Sequence, residues 1–240
     1  MDPDHPWRGW IDVPLPQARP EDGGWTELSH VLDENLKRIP FFPKPRIRKL
    51  LCMPGDRMNV TELQMVCHFG THLDAPCHFV PEAPALHQIA LERMYGPGVV
   101  WRIEVEADGL IEPAQLEAAR PRLRPGDILL IDSGFHLDFE NDRYERHPSF
   151  SVAAAHWLVD QGVKLLGIDF ATPDLAADRR GEDFNWPVHH VLLSHGVLIG
   201  EHLTNLRRLA GRRIEVMFMA LNIAHADGAP ARVIARPVNG

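Results

Sequence analysis

Val152-Ala153-Ala154-Ala155-His156-Trp157-Leu158-Val159-Asp160-Gln161-Gly162-Val163-Lys164-Leu165-Leu166-Gly167-Ile168-Asp169 reads as a helix, a stop and a strand in succession. The segment from Val152 to Gln161 suits a helix, and Gly162 supplies the left-handed residue that closes one. Val163 to Asp169 is a short apolar run of the kind buried on both faces of a sheet. Upstream, Pro125-Gly126-Asp127 turns the chain into a second such run, Ile128-Leu129-Leu130-Ile131-Asp132. Downstream, Pro187 to Ser194 is predicted as a helix ending near Gly196, and Val197-Leu198-Ile199 as a strand.

The same reading extends to both ends of the chain. Val60 to Val66 and Val99 to Val105 are predicted strands, the latter entered through a turn at Gly96-Pro97-Gly98. Glu112 to Arg120 is a predicted helix with Pro113 in its first turn. Glu215 to Leu221 is a further strand, followed by a Gly/Pro loop at Asp227-Gly228-Ala229-Pro230. Four prolines between Pro40 and Pro54 argue for a long loop or lid rather than a helix. Helices and strands are mixed without a regular βαβ repeat. The expectation is one compact α/β domain with a mixed sheet over residues 25–240, after an irregular arm at 1–24.

Composition narrows the function. The chain has 240 residues, 45% of them hydrophobic, enough for a sizeable core. A net charge of -8 argues against a nucleic-acid binder. The basic cluster Lys44-Pro45-Arg46-Ile47-Arg48-Lys49 reads as a solvated loop beside a helix. Cys52, Cys67 and Cys77 have no CxxC spacing, which suits a reducing compartment. The N-terminal residues lack the apolar core of a signal peptide, and no apolar run is long enough to span a membrane. A soluble cytoplasmic protein is expected.

Fourteen histidines remain to be explained, and the densest group is His68-Phe69-Gly70-Thr71-His72-Leu73-Asp74-Ala75-Pro76-Cys77-His78-Phe79. His68, His72, Asp74 and His78 share one parity, so a strand would project them to one face. A straight strand would nevertheless separate His68 from His72 by about 13 Å. Metal ligands must converge to about 2 Å from their ion. A helix would pair the two histidines but turn Asp74 away. The chain therefore has to bend, and Gly70 permits it, while Pro76 ends any pairing. Imidazoles and a carboxylate suit zinc, manganese or iron(II). Asp74 has two oxygens with which to bridge two ions, and His78 can stay unligated and exchange protons. Downstream, His189 and Glu201 stand twelve residues apart and can return to one point. His190, His195 and His202 compete with them, and chemistry alone does not choose.

The pattern His68-x-Gly70-Thr71-His72-x-Asp74-Ala75-Pro76-x-His78-Phe79 resembles the signature of the cyclase family, which includes bacterial kynurenine formamidases and isatin hydrolases. Further similarity runs in order from residue 26 to about 235, through Leu28-Ser29-His30, Gly126-Asp127-Ile128-Leu129-Leu130, Gly167-Ile168-Asp169 and Pro187-Val188-His189-His190. It continues through Gly200-Glu201-x-Leu203-Thr204-Asn205-Leu206 to Asp227-Gly228-x-Pro230-x-Arg232. The resemblance implies a swivelling β/β/α fold and a homodimer or homotetramer. It implies two divalent ions, zinc first and manganese second, with His68, His72 and Asp74 on one and His189 and Glu201 completing the other across a bridging Asp74. It assigns His78 as the catalytic acid/base.

The implied activity is hydrolysis of an amide-type C–N bond in a small substrate, with an aromatic one a candidate, by a metal-activated water. A cyclic amide, a lactone, or a metal-dependent cyclisation or dehydration are the alternatives. The chain departs from its relatives at Phe170-Ala171-Thr172-Pro173-Asp174, where they often carry a Ser-containing loop, and in the arm before residue 25 and the Pro40 to Pro54 segment, both longer than expected for a minimal formamidase. Those two longer regions would border the pocket; Trp101, Trp157 and Trp186 read first as core, while Trp25, Phe41, Phe42 and Trp186 are candidate aromatic contributors to the pocket. No GxSxG, GxGxxG or P-loop pattern is present, and Val80 stands where a zinc deaminase would carry its second cysteine.

Overall fold

The apolar runs do not stack as an open sheet but close on themselves. A computed structural model describes residues 24–39 and 41–238; the arm expected at 1–24 therefore lies outside the described residues except for Gly24. In chain order the elements are β1 (Thr26–Glu27), β2 (Arg46–Leu51), β3 (Val60–Gln64), β4 (His72–Asp74), β5 (Tyr95–Arg102), β6 (Leu110–Ile111), α1 (Pro113–Ala118), β7 (Ile128–Asp132), β8 (Ser149–Phe150), α2 (Val152–Asp160), β9 (Leu165–Ile168), α3 (Pro187–Ser194), β10 (Leu198–Glu201), β11 (Arg212–Ala220) and β12 (Gly228–Pro237).

The main sheet runs β12-β11-β5-β7-β9-β10-β4, and β4 pairs again with β12, so seven strands form a closed barrel. The strands β5, β7, β9 and β10 are mutually parallel, and the remaining contacts are antiparallel. β12 is long enough to serve two partners on one edge, β4 through Gly228–Pro230 and β1 through Ile234 and Ala235.

Alternation along the central strands sorts their side chains into two cores. Val100, Ile128, Leu130, Leu165, Leu198 and Phe218 point inward and fill the barrel. Val99, Leu129, Ile131, Leu166, Ile168 and Ile199 point outward beneath α2 and α3. β7, β9 and β10 are buried on both faces, which is why they lack polar alternation, whereas β11 alternates. Ser151 caps α2 by accepting the Ala154 N–H, and Gly162 closes it at φ +72°. No helix among the described residues is long and apolar enough to cross a membrane.

Three local expectations are corrected. Gly96-Pro97-Gly98 is not a turn; it forms the first half of β5, paired with β11. Gly98 is there because a Cβ would run into the Ile128 carbonyl oxygen of the neighbouring strand. Gly98→Ala should therefore lower stability by about 2 kcal/mol or more, read as a fall in the denaturant midpoint; an unchanged midpoint would reject this close approach. Asp227-Gly228-Ala229-Pro230 likewise enters β12 rather than a loop, since pairing with β4 decides against local turn chemistry. Finally, the prolines at 43, 45 and 54 flank a proline-free segment, so Arg46–Leu51 forms a hairpin with Val60–Gln64 instead of a loop beside a helix. Its basic side chains do stay solvated, with Arg48 paired to Glu62.

Candidate metal and active site

The bend required before His72 is made at Gly70, which has φ +63°. A β-carbon there would collide with Leu32, so both the turn and its cover favour glycine. Beyond the bend, Leu73 fills the barrel while His72 and Asp74 project from its outer face. Glu201 ends β10 directly opposite His72, and Ile199 lies opposite Asp74. A cross-strand pair thus brings together residues 129 positions apart in the chain. Pro76 ends the strand and opens a short turn, Pro76–His78, that carries His78 back over the site.

His189 arrives from the first turn of α3. Its Nδ1–H donates to Asp174 at 2.6 Å, and Asp174 also accepts the backbone N–H groups of Val188 and His189 at 3.0 Å each. Asp174 therefore caps the helix and fixes the ring, leaving Nε2 at 3.4 Å from Glu201 and 3.6 Å from Asp74. His72 is oriented in the same way: Nδ1–H donates to the Gly70 carbonyl at 2.8 Å. Its Nε2 faces Asp74 and Glu201 at 3.3 Å each. His68 donates to Asp74 at 2.8 Å and, through its other nitrogen, to Asp227 at 3.0 Å.

All six residues singled out in the sequence thus gather at one place. His72, Asp74, His189 and Glu201 are buried, whereas His68 and His78 are partly exposed. The donor set also fits a cation. Among the described residues, His72 Nε2, Asp74 Oδ2 and Glu201 Oε1 are buried without a hydrogen-bond partner, and such atoms are costly unless something satisfies them. Asp74, His189 and Glu201 offer ligand atoms within 4.8 Å of one another, as do His68, Asp74 and His78.

With no ion bound, protons carry the positive charge. Burial opposes it, but the hydrogen bonds that His68 donates to Asp227 and Asp74 raise its pKa to about 9, and the Asp74 and Glu201 carboxylates facing His72 raise that ring to about 10. His189 is raised in the same way, with Asp174 the strongest of the groups that hold its proton. His78 differs: burial lowers its pKa, so its ring is neutral at neutral pH. For a group raised above its unfolded value, stability is complete below about 6.5 and is lost as pH rises through the folded value. Chelated protein should therefore lose several degrees of Tm between pH 6.5 and 10. Metal-loaded protein, whose imidazoles are already deprotonated, should not, and parallel melting profiles would contradict this.

Among the competitors, His190 and His195 are exposed. His202 is buried behind His72, its Nδ1 2.7 Å from the Tyr144 hydroxyl, and burial lowers its pKa to about 3. It also lies within ligand reach of His72 and Glu201. Sequence reasoning assigned no role to Asp174 or Asp227. Both stood in quoted motifs, but only tertiary contact shows that each holds a histidine.

A cavity of about 250 Å³ opens over His68, His78, His189 and Glu201. Phe41, Phe42, Phe79 and Trp186 supply its aromatic walls, with Arg180 among them. Trp25 is not one of them; it lies under the Arg236 guanidinium, 4.9 Å from its ring centroid. Trp101 is buried core and donates its indole N–H to Pro121.

Comparison with known proteins follows the same lines. The Cyclase family model, described as "Putative cyclase", matches residues 26–175. The kynurenine formamidase of Bordetella petrii is 30% identical over 183 residues, covering 76% of this chain and 83% of its own. Isatin hydrolase A of Labrenzia aggregata, solved with benzyl benzoate, superposes with a TM-score of 0.79 at 22% identity over 90% of this chain and 94% of its own. Isatin hydrolase A of Ralstonia solanacearum gives 0.77 at 21% identity, covering 90% and 92%.

Proposed function

We propose, since this chain belongs to the Cyclase family, that it is a metal-dependent hydrolase cleaving the C–N bond of a small non-peptide amide. The observation that carries this reading is the convergence of the unpartnered His72 Nε2, Asp74 Oδ2 and Glu201 Oε1 beneath an aromatic cavity that His78 also lines. Two divalent ions, zinc first and manganese second, are assigned to His68, His72 and Asp74 and to Asp74, His189 and Glu201. Bound there, such ions lower the pKa of water to near neutrality and polarise a carbonyl oxygen.

The chain's own residues supply the rest. Asp174 and the Gly70 carbonyl hold His189 and His72 in the tautomer that turns Nε2 to the site. His78, neutral through burial, accepts the proton of the attacking water and returns it to the departing nitrogen. Its Nδ1 lies 3.5 Å from Asp227, and its ring stacks on His68 with centroids 3.9 Å apart. Asp227 remains a carboxylate, its pKa lowered to about 2 by the hydrogen bond from His68. The aromatic walls favour a planar substrate.

An aryl formamide is the first substrate class, by analogy with the formamidase relatives; a cyclic amide is the second, by analogy with the isatin hydrolases. Zinc- and manganese-loaded protein should be screened on N-formylkynurenine, isatin and simple lactones, with product masses recorded. Hydrolysis adds one water, whereas a cyclase or dehydratase would remove one, and that outcome would replace this reading. The remaining assignments are the swivelling β/β/α fold for residues 25–240, a homodimer or homotetramer, and a cytoplasmic setting that suits three unpaired cysteines.

A further inference from the structure

Arg180 has an unusual place in the cavity. It follows the short turn Ala177–Arg179, in the loop between Asp174 and α3. Its Nε–H donates to the Leu175 carbonyl at 2.8 Å, which fixes the direction of the guanidinium. The guanidinium carbon lies 5.4 Å from the centroid of the Trp186 ring and 5.3 Å from that of Phe184, so it rests against a corner formed by two aromatic rings. Trp186 is itself held in the left-handed region at φ 50°, directly before Pro187 and α3.

Among the described residues, no carboxylate lies within ion-pairing distance of Arg180, although other arginines near buried acids are paired, such as Arg207 with Asp132 and Arg213 with Asp127. The nearby acids are already engaged. Asp174 accepts three N–H groups of Val188 and His189, and Glu201 faces His72 and His189. A half-buried guanidinium has given up part of its hydration, and burial lowers its pKa accordingly. An anion reaching it would recover that loss through two parallel, charge-assisted hydrogen bonds.

We infer that Arg180 selects a substrate carrying a carboxylate on or beside its aromatic ring, held across the cavity from the bond that is cut. The inference rests on the hydrolase reading above and narrows its substrate class from aryl amides to acidic aryl amides. A planar carboxylate matches the guanidinium fork, and the cavity of about 250 Å³ has room for little more than one ring and its substituents. With Nε–H engaged by the Leu175 carbonyl, the terminal N–H groups are the fork left to meet the ligand.

The test compares Arg180→Met, which keeps most of the side-chain bulk, and Arg180→Lys, which keeps the charge but loses the fork. Each is assayed in the zinc-loaded protein on a pair of aryl formamides that differ only in a ring carboxylate. The expected result for Arg180→Met is a fall of on the order of 10- to 100-fold in kcat/KM for the acidic substrate relative to its neutral partner. The loss should appear in KM rather than kcat, and Arg180→Lys should fall between. An unchanged ratio, or a loss confined to kcat, would overturn the role. Titration calorimetry with benzoate gives a readout independent of turnover: wild type should bind it at least 10-fold more tightly than Arg180→Met, and equal affinities would overturn the inference. If the wild type hydrolyses neither formamide yet shows that difference, the hydrolase reading fails and the carboxylate site stands. Equal melting temperatures of the three proteins establish that the comparison is between folded forms.

Discussion

His78→Ala is expected to retain the wild-type complement of metal and to lose about 100- to 10,000-fold in kcat, the range seen when a general acid/base is removed. Three features support so large an effect. The ring is neutral through burial and can take up a proton at working pH. It opens into the cavity above Glu201 and His189. Its Nδ1 faces Asp227 at 3.5 Å, which orients it without locking it into a short hydrogen bond. The competing role is that of a ligand, because His78 also lies within ligand reach of His68 and Asp74. Elemental analysis separates the two. A variant that loses one ion per chain makes His78 a ligand, and a metal-replete variant with full activity removes it from the chemistry.

Asp74→Ala should abolish activity and release metal. The side chain is 1% exposed and stands among three imidazoles, bonded to His68 at 2.8 Å with His72 at 3.3 Å and His189 at 3.6 Å. Its pKa is held well below the usual carboxylate range despite burial, because the His189, His68 and His72 imidazoles face it. Removing one partner of such a buried cluster leaves the others uncompensated, at a cost of about 3–5 kcal/mol. The metal-free variant should therefore melt well below metal-free wild type at neutral pH, where the histidines are protonated. Asp74→Asn preserves the shape and serves as the control for packing. Unchanged metal content in Asp74→Ala, read by elemental analysis, would remove Asp74 from the bridging position.

Much of this architecture could be read from residue order alone. Ile128–Asp132 and Pro187–Ser194 carry the boundaries expected of them, because a buried strand announces itself by continuous apolar residues and a helix by its terminal proline and closing glycine. Readings that relied on glycine and proline as turn markers failed wherever tertiary pairing outweighed local preference. Gly98 serves close strand approach and Pro230 lies opposite His72 in the barrel, so neither marks a turn. The Pro40 to Pro54 segment misled for a related reason: its prolines bound a strand rather than interrupt one.

The histidine segment shows the same division at finer scale. Its parity and composition, and the need for a bend at Gly70, follow from strand geometry and ligand chemistry, both of which are local. That His72 meets Glu201 follows from the antiparallel register of β4 on β10, set by a barrel whose closing contacts join residues 72–74 to residues 228–230. The same closure brings Asp227 to His68 and His78, and the packing of α3 against the barrel brings Asp174 to His189. Sequence by itself determined which groups are able to ligate and exchange protons, because that is a property of side-chain chemistry and near neighbours. Only the tertiary structure shows how those groups meet, and places Arg180 on the wall of their cavity with no carboxylate partner among the described residues, because pairing between distant strands is settled by how the whole barrel closes.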